Sequence, residues 1–292
     1  MSDIARIKEL TQTGDPESFC ELGIMYGRGE DVPQNYKMAA GWYSLSARCG
    51  NAKAQRNLGW LYKDGKGVPR SDKEAFKWIR LSAEQGDAKA QNDLGLMYLN
   101  GDGVPKNRKE AMKWFKLAAE QGNEVAQRNL GVIYRTGNGV PKDYVEALKW
   151  LKLAAENGDS SAQNNLGLMS EHGEGVPQSY EDAKRWYELA AEGGNTNAQN
   201  NLGVMFSEGK GMPCDHKEAA KWFRLAAERG NAAAQNNLGV LYYEGKGVPQ
   251  SYEEAAKWFE LAAKQGDALA QRMLKMIYGK RKCVPNDKKM TN

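Results

Sequence analysis

The chain's 292 residues carry 41 Lys and Arg against 37 Asp and Glu, a net charge of +4 with no long basic run, so charge gives no ground for a nucleic-acid partner. No stretch approaches membrane-spanning length and residues 1–16 place charges every few positions, so neither membrane insertion nor a signal peptide is expected, and a cytoplasmic location is the default. Cys20, Cys49, Cys214 and Cys283 follow no CxxC spacing, which argues against a zinc site or a disulfide framework and leaves no metal or cofactor predicted.

Met1–Gly14 spaces Ile4, Ile7 and Leu10 along one helical face and stops at Gly14, which predicts an N-terminal capping helix over 1–14. Beyond it one phrase keeps returning. Leu-Gly stands at Leu22-Gly23, Leu58-Gly59, Leu94-Gly95, Leu130-Gly131, Leu166-Gly167, Leu202-Gly203 and Leu238-Gly239, each pair 36 residues after the last. A strict period of about 20–50 residues marks a solenoid, whose units bury their apolar faces by stacking on neighbours. One elongated, monomeric, all-α domain is therefore predicted in place of two globular ones. Its seven repeats run over about 15–50, 51–86, 87–122, 123–158, 159–194, 195–230 and 231–266. The next Leu is followed by Lys275, and 267–292 reads as an incomplete eighth repeat, a C-terminal cap and a polar tail.

The punctuation makes each unit a helical hairpin. Gly50, Gly86, Gly122, Gly158, Gly194, Gly230 and Gly266 suit left-handed helix stops, and the Asn or Asp after each is an N-cap for helix A of the next unit. Proline recurs at 33, 69, 105, 141, 177, 213, 249 and 285, in loops such as Gly65-Lys66-Gly67-Val68-Pro69. Two residues later, Ser71 with Glu74, Asn107 with Glu110, Asp143 with Glu146, Asp215 with Glu218 and Ser251 with Glu254 resemble capping boxes that open helix B. Trp42, Trp78, Trp114, Trp150, Trp186, Trp222 and Trp258 share one register on helix B and read as core, as do Tyr26, Tyr62, Tyr98, Tyr134, Phe206, Tyr242 and Tyr278, with Ser170 as the gap in that series. Small pairs such as Gly59 with Ala75 and Gly95 with Ala111 let the two helices of a hairpin approach closely.

The repeated phrase Ala-x-Ala-Gln-x-Asn-Leu-Gly-x-x-Tyr, then Gly-x-Gly-Val-Pro, then Glu-Ala-x-Lys-Trp-x-x-Leu-Ala-Ala-Glu-x-Gly, as in residues 88–122 with small changes, resembles the Sel-one-like repeat branch of the tetratricopeptide superfamily. The resemblance implies an α/α right-handed superhelical solenoid with helices A lining the concave face, and an adaptor or scaffold role. Members with export signals and a disulfide in each repeat form a different subset, and this chain has neither feature.

The resemblance also implies that the residues one and two before each Leu-Gly face the groove. Asn57, Asn129, Asn165, Asn201 and Asn237 then form a column, interrupted by Asp93 and ending at Met273, with Asn164, Asn200 and Asn236 beside it. One amide both donates to and accepts from a peptide group, so this column suits an extended peptide main chain. The other reading is that the amides bond to neighbouring helices and hold the spiral in shape. Lys53, Arg56, Lys63, Lys89, Arg128 and Arg135 cluster in the second to fourth units around Trp60, while Glu171, Glu208 and Glu244 lie later. An acidic segment anchored by Arg and stacked on Trp fits that set, and a solvated surface with chance asymmetry is the alternative.

Signals for catalysis are weak. Ser207 and Lys210 form a Ser-x-x-Lys without its companion motifs, and Cys214 with His216 flank an N-cap, Asp215, that explains the segment. Cys20 and Cys49 are placed to approach each other but read as reduced thiols, and Lys280, Arg281 and Lys282 as a solubilising end cap. The sequence thus predicts a non-enzymatic adaptor binding a protein segment in the groove, with a regulatory or hydrolytic protein and a structural spacer as the alternatives.

Overall fold

The computed structural model describes residues 11, 12 and 14–282, which contain fifteen helices and no strand. The capping helix expected over 1–14, the tail with Cys283, and the side chains of Lys280, Arg281 and Lys282 lie outside the described part. The chain divides at Trp150 into two compact units. The first contains α1 (Pro16–Arg28), α2 (Tyr36–Arg48), α3 (Ala52–Asp64), α4 (Asp72–Glu84), α5 (Ala88–Asn100), α6 (Arg108–Glu120) and α7 (Glu124–Thr136). The boundary falls inside α8 (Tyr144–Glu156). The second unit continues with α9 (Ser160–His172), α10 (Tyr180–Glu192), α11 (Thr196–Glu208), α12 (His216–Glu228), α13 (Ala232–Glu244), α14 (Tyr252–Lys264) and α15 (Ala268–Lys282). In the first unit α1 pairs with α2, α3 with α4 and α5 with α6, and each hairpin stacks on the next through α2 on α3, α4 on α5 and α6 on α7. The second unit repeats the scheme with α9/α10, α11/α12 and α13/α14, and α14 packs on α15.

The predicted punctuation works as helix capping. Asn51 and Asp87 accept the backbone N–H three residues on, at 2.8 and 2.7 Å, and open α3 and α5. Gly65 closes α3 at φ 69°, a left-handed value that L side chains resist, with its N–H on the Leu61 carbonyl. Gly67 meets a second demand, since a Cβ there would overlap the Tyr36 carbonyl of the preceding hairpin.

Helix B opens differently from a capping box. Ser71, Asn107, Asp215 and Ser251 accept the N–H of the glutamate three residues on, as expected. The reciprocal bond is missing because each cap's own N–H already donates to helix A, to the carbonyls of Tyr62, Tyr98, Phe206 and Tyr242 at 2.8–2.9 Å. Glu74, Glu218 and Glu254 turn instead to Lys77, Lys221 and Lys257 one helical turn on.

The core sits one residue later than the tryptophan register suggests. Trp150 is buried, but Trp42, Trp78, Trp114, Trp186, Trp222 and Trp258 are half-buried. The deepest side chains are the next residues along, among them Ile79, Phe115, Tyr187, Phe223 and Phe259. These face the glycine of Leu-Gly: a Cβ at Gly203 would stand 2.5 Å from the Phe223 ring, and Gly95, Gly167 and Gly239 face Phe115, Tyr187 and Phe259 in the same way. The glycine therefore makes room for a large side chain on helix B, while Ala75 and Ala111 pack fully buried beside it. Tyr278 departs from its series, being 40 % exposed with its hydroxyl on Glu260.

Candidate functional site

The residues just before each Leu-Gly sit on helices A, with the leucine buried behind them. In the first unit Asp93 Oδ2 accepts the Trp60 indole N–H at 2.7 Å and lies 3.3 Å from Arg56 Nε. Burial pushes the Asp93 carboxyl above its ordinary value, against the Trp60 hydrogen bond and the Arg56 charge, which favour the ionised form. Asn129 Nδ2 donates to Asn92 Oδ1 at 3.0 Å. In the second unit Asn201 donates to Asn164 at 3.1 Å and Asn237 to Asn200 at 3.0 Å. Asn165 turns to the Ser161 carbonyl of its own helix at 2.8 Å. Each inter-helix rung joins residues 37 apart, one more than the repeat, and is ionic at Arg56/Asp93 and amide to amide at the others. The next rung in register pairs Asn236 with Met273, and the buried Asn236 Oδ1 has no hydrogen-bond partner.

The amides thus brace neighbouring helices. An asparagine side chain has two N–H groups and an oxygen with two acceptor sites, and a rung occupies one N–H of one partner and one acceptor site of the other. Asn57 hydrogen-bonds the Tyr43 hydroxyl, a phenol that burial raises to about 12. Asn164 and Asn236 are buried, whereas Asn57, Asp93, Asn129, Asn165, Asn200, Asn201 and Asn237 are half-buried.

Three expected site residues meet at one cavity. Arg56, Asn57 and Trp60 line a space of about 380 Å³ with Gly27, Arg28, Tyr36, Tyr43 and Leu61. Lys63 Nζ lies 5.8 Å from the centre of the Trp60 ring and Lys66 Nζ 5.6 Å from that of Tyr36, both within cation–π range. Arg28, Tyr36 and Tyr43 carry no groove signature in the sequence, because they belong to the preceding hairpin and reach the cavity only through stacking.

Much of the charge asymmetry is resolved by pairing within and between hairpins. Lys63 bonds Asp102, a residue of the next hairpin. Glu171 accepts from the Tyr187 hydroxyl at 2.7 Å and from Lys210 at 3.0 Å. Burial pushes its carboxyl up, but these two bonds together with the charges of Lys210 and His172 hold it below the usual glutamate value. Glu208 and Glu244 pair with Lys210 and Lys246 at 3.0 and 2.8 Å. Lys53 and Lys89 are exposed, and Arg128 and Arg135 are half-buried.

Lys210 serves Glu171 and Glu208, which removes it as a base for Ser207. Cys20 is buried, its thiol raised to about 11 chiefly by burial, and Cys20, Cys49 and Cys214 are free thiols. Among the described residues no group of three or more His, Cys, Asp or Glu is arranged to hold a metal ion, and no helix is long and apolar enough to cross a membrane.

A second ladder escaped the sequence reading. Gln55, Gln91, Gln199 and Gln235 each donate to a carbonyl at the end of the preceding helix B, at 3.1–3.2 Å, giving a buried amide a partner. Gln85, Gln121 and Gln265 in turn donate to the oxygens of Gln55, Gln91 and Gln235 at 2.7, 2.7 and 2.9 Å. The recurring Ala-Gln of the repeat phrase is its signal.

Comparison with known proteins matches this geometry. The Sel1 repeat family matches residues 17–51, 52–87, 88–123, 125–159, 160–195, 196–231 and 232–267. The chain is similar to c5321, a protective antigen present in uropathogenic Escherichia coli strains that displays an SLR fold, with 37% identity and a TM-score of 0.77 over 94% of this chain and 59% of that one. A Sel1 repeat protein from Oxalobacter formigenes is 35% identical with a TM-score of 0.77, over 93% of this chain and 79% of its own. Yeast Tom70, at 14% identity and a TM-score of 0.51 over 89% of this chain and 56% of its own, shares the fold alone. No curated protein sequence matches. The chain spans 59% of the length of the E. coli antigen. With seven matched repeats and helical hairpins stacked in register, the chain belongs to the Sel1 repeat family of α/α solenoids in the TPR-like superfamily, whose members generally mediate protein–protein interaction.

Proposed function

We propose that the protein is a non-enzymatic adaptor that holds an extended segment of another protein against helices A, with the cavity at Arg56, Asn57 and Trp60 as one anchoring point. The observation that carries this reading is the cavity's make-up: aromatic walls from Tyr36, Tyr43 and Trp60 beside the cations Arg28 and Arg56. That combination suits an apolar side chain flanked by a carboxylate, since rings supply contact area and a guanidinium binds carboxylates through several N–H groups. Arg56 has its Nε 3.3 Å from Asp93, and the two terminal nitrogens of its guanidinium are the groups that would take a partner's carboxylate. Farther along, Asn129, Asn201 and Asn237 are held in position by their rungs and offer their second N–H and their oxygens to a peptide main chain.

Peptide display on the wild-type protein tests this. Enriched peptides should pair an apolar residue with Asp or Glu, and their affinity should fall roughly tenfold in Arg28→Ala, with little change in melting, and in Trp60→Leu, where loss of the hydrogen bond to Asp93 also lowers the melting temperature. Selected peptides that bind both variants as tightly as wild type would count against the cavity as the anchor.

A further inference from the structure

We propose that Cys214 is a reactive thiol that takes up a mixed disulfide from a small-molecule disulfide, with His216 as the acceptor of the thiol proton. The loop position filled by Cys214 belongs to glutamine in three other repeats, where Gln34, Gln178 and Gln250 donate to the carbonyls of Gly27, Glu171 and Tyr243 at 2.9, 2.8 and 2.9 Å. Cys214 Sγ takes the same place on the Ser207 carbonyl at 3.2 Å, so the thiol is held by the loop. Two residues on, the position of Tyr36, Tyr144, Tyr180 and Tyr252 is filled by His216, and among the repeats a thiol and an imidazole occur together in these two places here alone.

The substitution pair brings the groups into contact. Cys214 Sγ lies 3.6 Å from His216 Nε2 and 3.9 Å from Nδ1, and Ser207 Oγ lies 3.5 Å from Nδ1. His216, the residue the thiol touches, lines a cavity of about 200 Å³ with Ser207, Asn237, Glu208, Glu244 and Lys246, while Cys214 itself is exposed and so open to an incoming disulfide. The imidazole contact is the feature that singles this thiol out from Cys20 and Cys49. In the reaction the thiol proton passes to His216 and the thiolate attacks one sulfur of the disulfide. A Cys214–S–S–R bond forms as the original S–S bond breaks, and the departing thiolate takes the proton from His216. One thiol and one disulfide become another thiol and another disulfide, with no further oxidant.

The full chain with 2-hydroxyethyl disulfide as probe, followed by mass-spectrometric peptide mapping at neutral pH, measures this directly. Cys20 should stay unlabelled because it is buried, and exposed Cys49 at the end of α2 serves as the internal reference. Cys214 should be labelled at least about tenfold faster than Cys49. His216→Tyr, which installs the residue that other repeats carry and so preserves folding, should lower the Cys214 rate by at least about fivefold and leave Cys49 unchanged, and His216→Gln should do the same. Equal rates at Cys214 and Cys49, or a Cys214 rate indifferent to both substitutions, would overturn the proposal.

Discussion

Asn237 donates its amide to Asn200 at 3.0 Å, and the same register one repeat later sets Met273 against Asn236, whose buried oxygen is left without a donor. A buried acceptor without a partner is costly, and supplying one amide donor is worth about 1 kcal/mol. Met273 also packs on the α14–α15 core, so Met273→Asn alone mixes two effects. The double-mutant cycle of Met273→Asn with Asn236→Ala separates them. Urea unfolding should give a favourable coupling of about 1 kcal/mol, and zero coupling would mean that the rung does not extend to this register.

The glutamine ladder has a comparable gap. Gln199 Oε1 is buried without a hydrogen-bond partner, and the residue that corresponds to the donors Gln85, Gln121 and Gln265 is Arg229. Arg229→Gln should therefore stabilise the protein by about 1 kcal/mol in urea unfolding. A loss of stability would show that Arg229 contributes more through its present surroundings than the missing bond would.

Two glycines should respond to alanine with opposite signs. Gly203 has no room, since the new Cβ would stand 2.5 Å from the buried Phe223 ring, and Gly203→Ala should cost about 1–3 kcal/mol. Gly41 lies in helix α2, where an added methyl would meet nothing within 4 Å, and Gly41→Ala should add roughly 0.5–1 kcal/mol by restricting the unfolded chain. Thermal melts of the two variants check both signs.

Glu171 makes stability depend on pH in a defined direction. Its folded carboxyl is held below the ordinary value of 4.5, so its contribution is fully present above that value and is lost as pH falls through the lower folded one. Glu171→Gln should melt lower than wild type at neutral pH, and the difference should shrink toward zero in strong acid. A difference that stays constant over the acid range would assign the effect to packing alone.

The hairpins and their caps are legible in the sequence because capping and left-handed stops depend on residues a few positions apart, as with Asn51 and Gly65. The partners of the asparagines are not. A period of 36 residues aligns Asn201 with Asn237, whereas the bond actually joins Asn200 with Asn237, because neighbouring A helices meet through residues 37 apart. That offset belongs to the packing of one hairpin on the next and leaves no mark in either repeat alone. The core lies one residue off the tryptophan register for a related reason. Tryptophan recurs as a letter, but the deepest position needs only volume against a glycine, and Ile79, Phe115 and Tyr187 all supply it.

The amide rungs have a direction: the later helix donates and the earlier one accepts. Each hairpin therefore ends in a keyed coupling, and the hairpins are not freely interchangeable parts. Excising residues 195–230 would bring Asn237 opposite Asn164 and Lys246 opposite Glu171, so donor meets acceptor and cation meets anion as before. Excising residues 87–122 would bring Asn129 opposite Arg56, so a neutral amide would stand where the carboxylate of an ion pair had been. Shortened forms of this chain should inherit their stability from which key is left facing which, more than from how many hairpins remain.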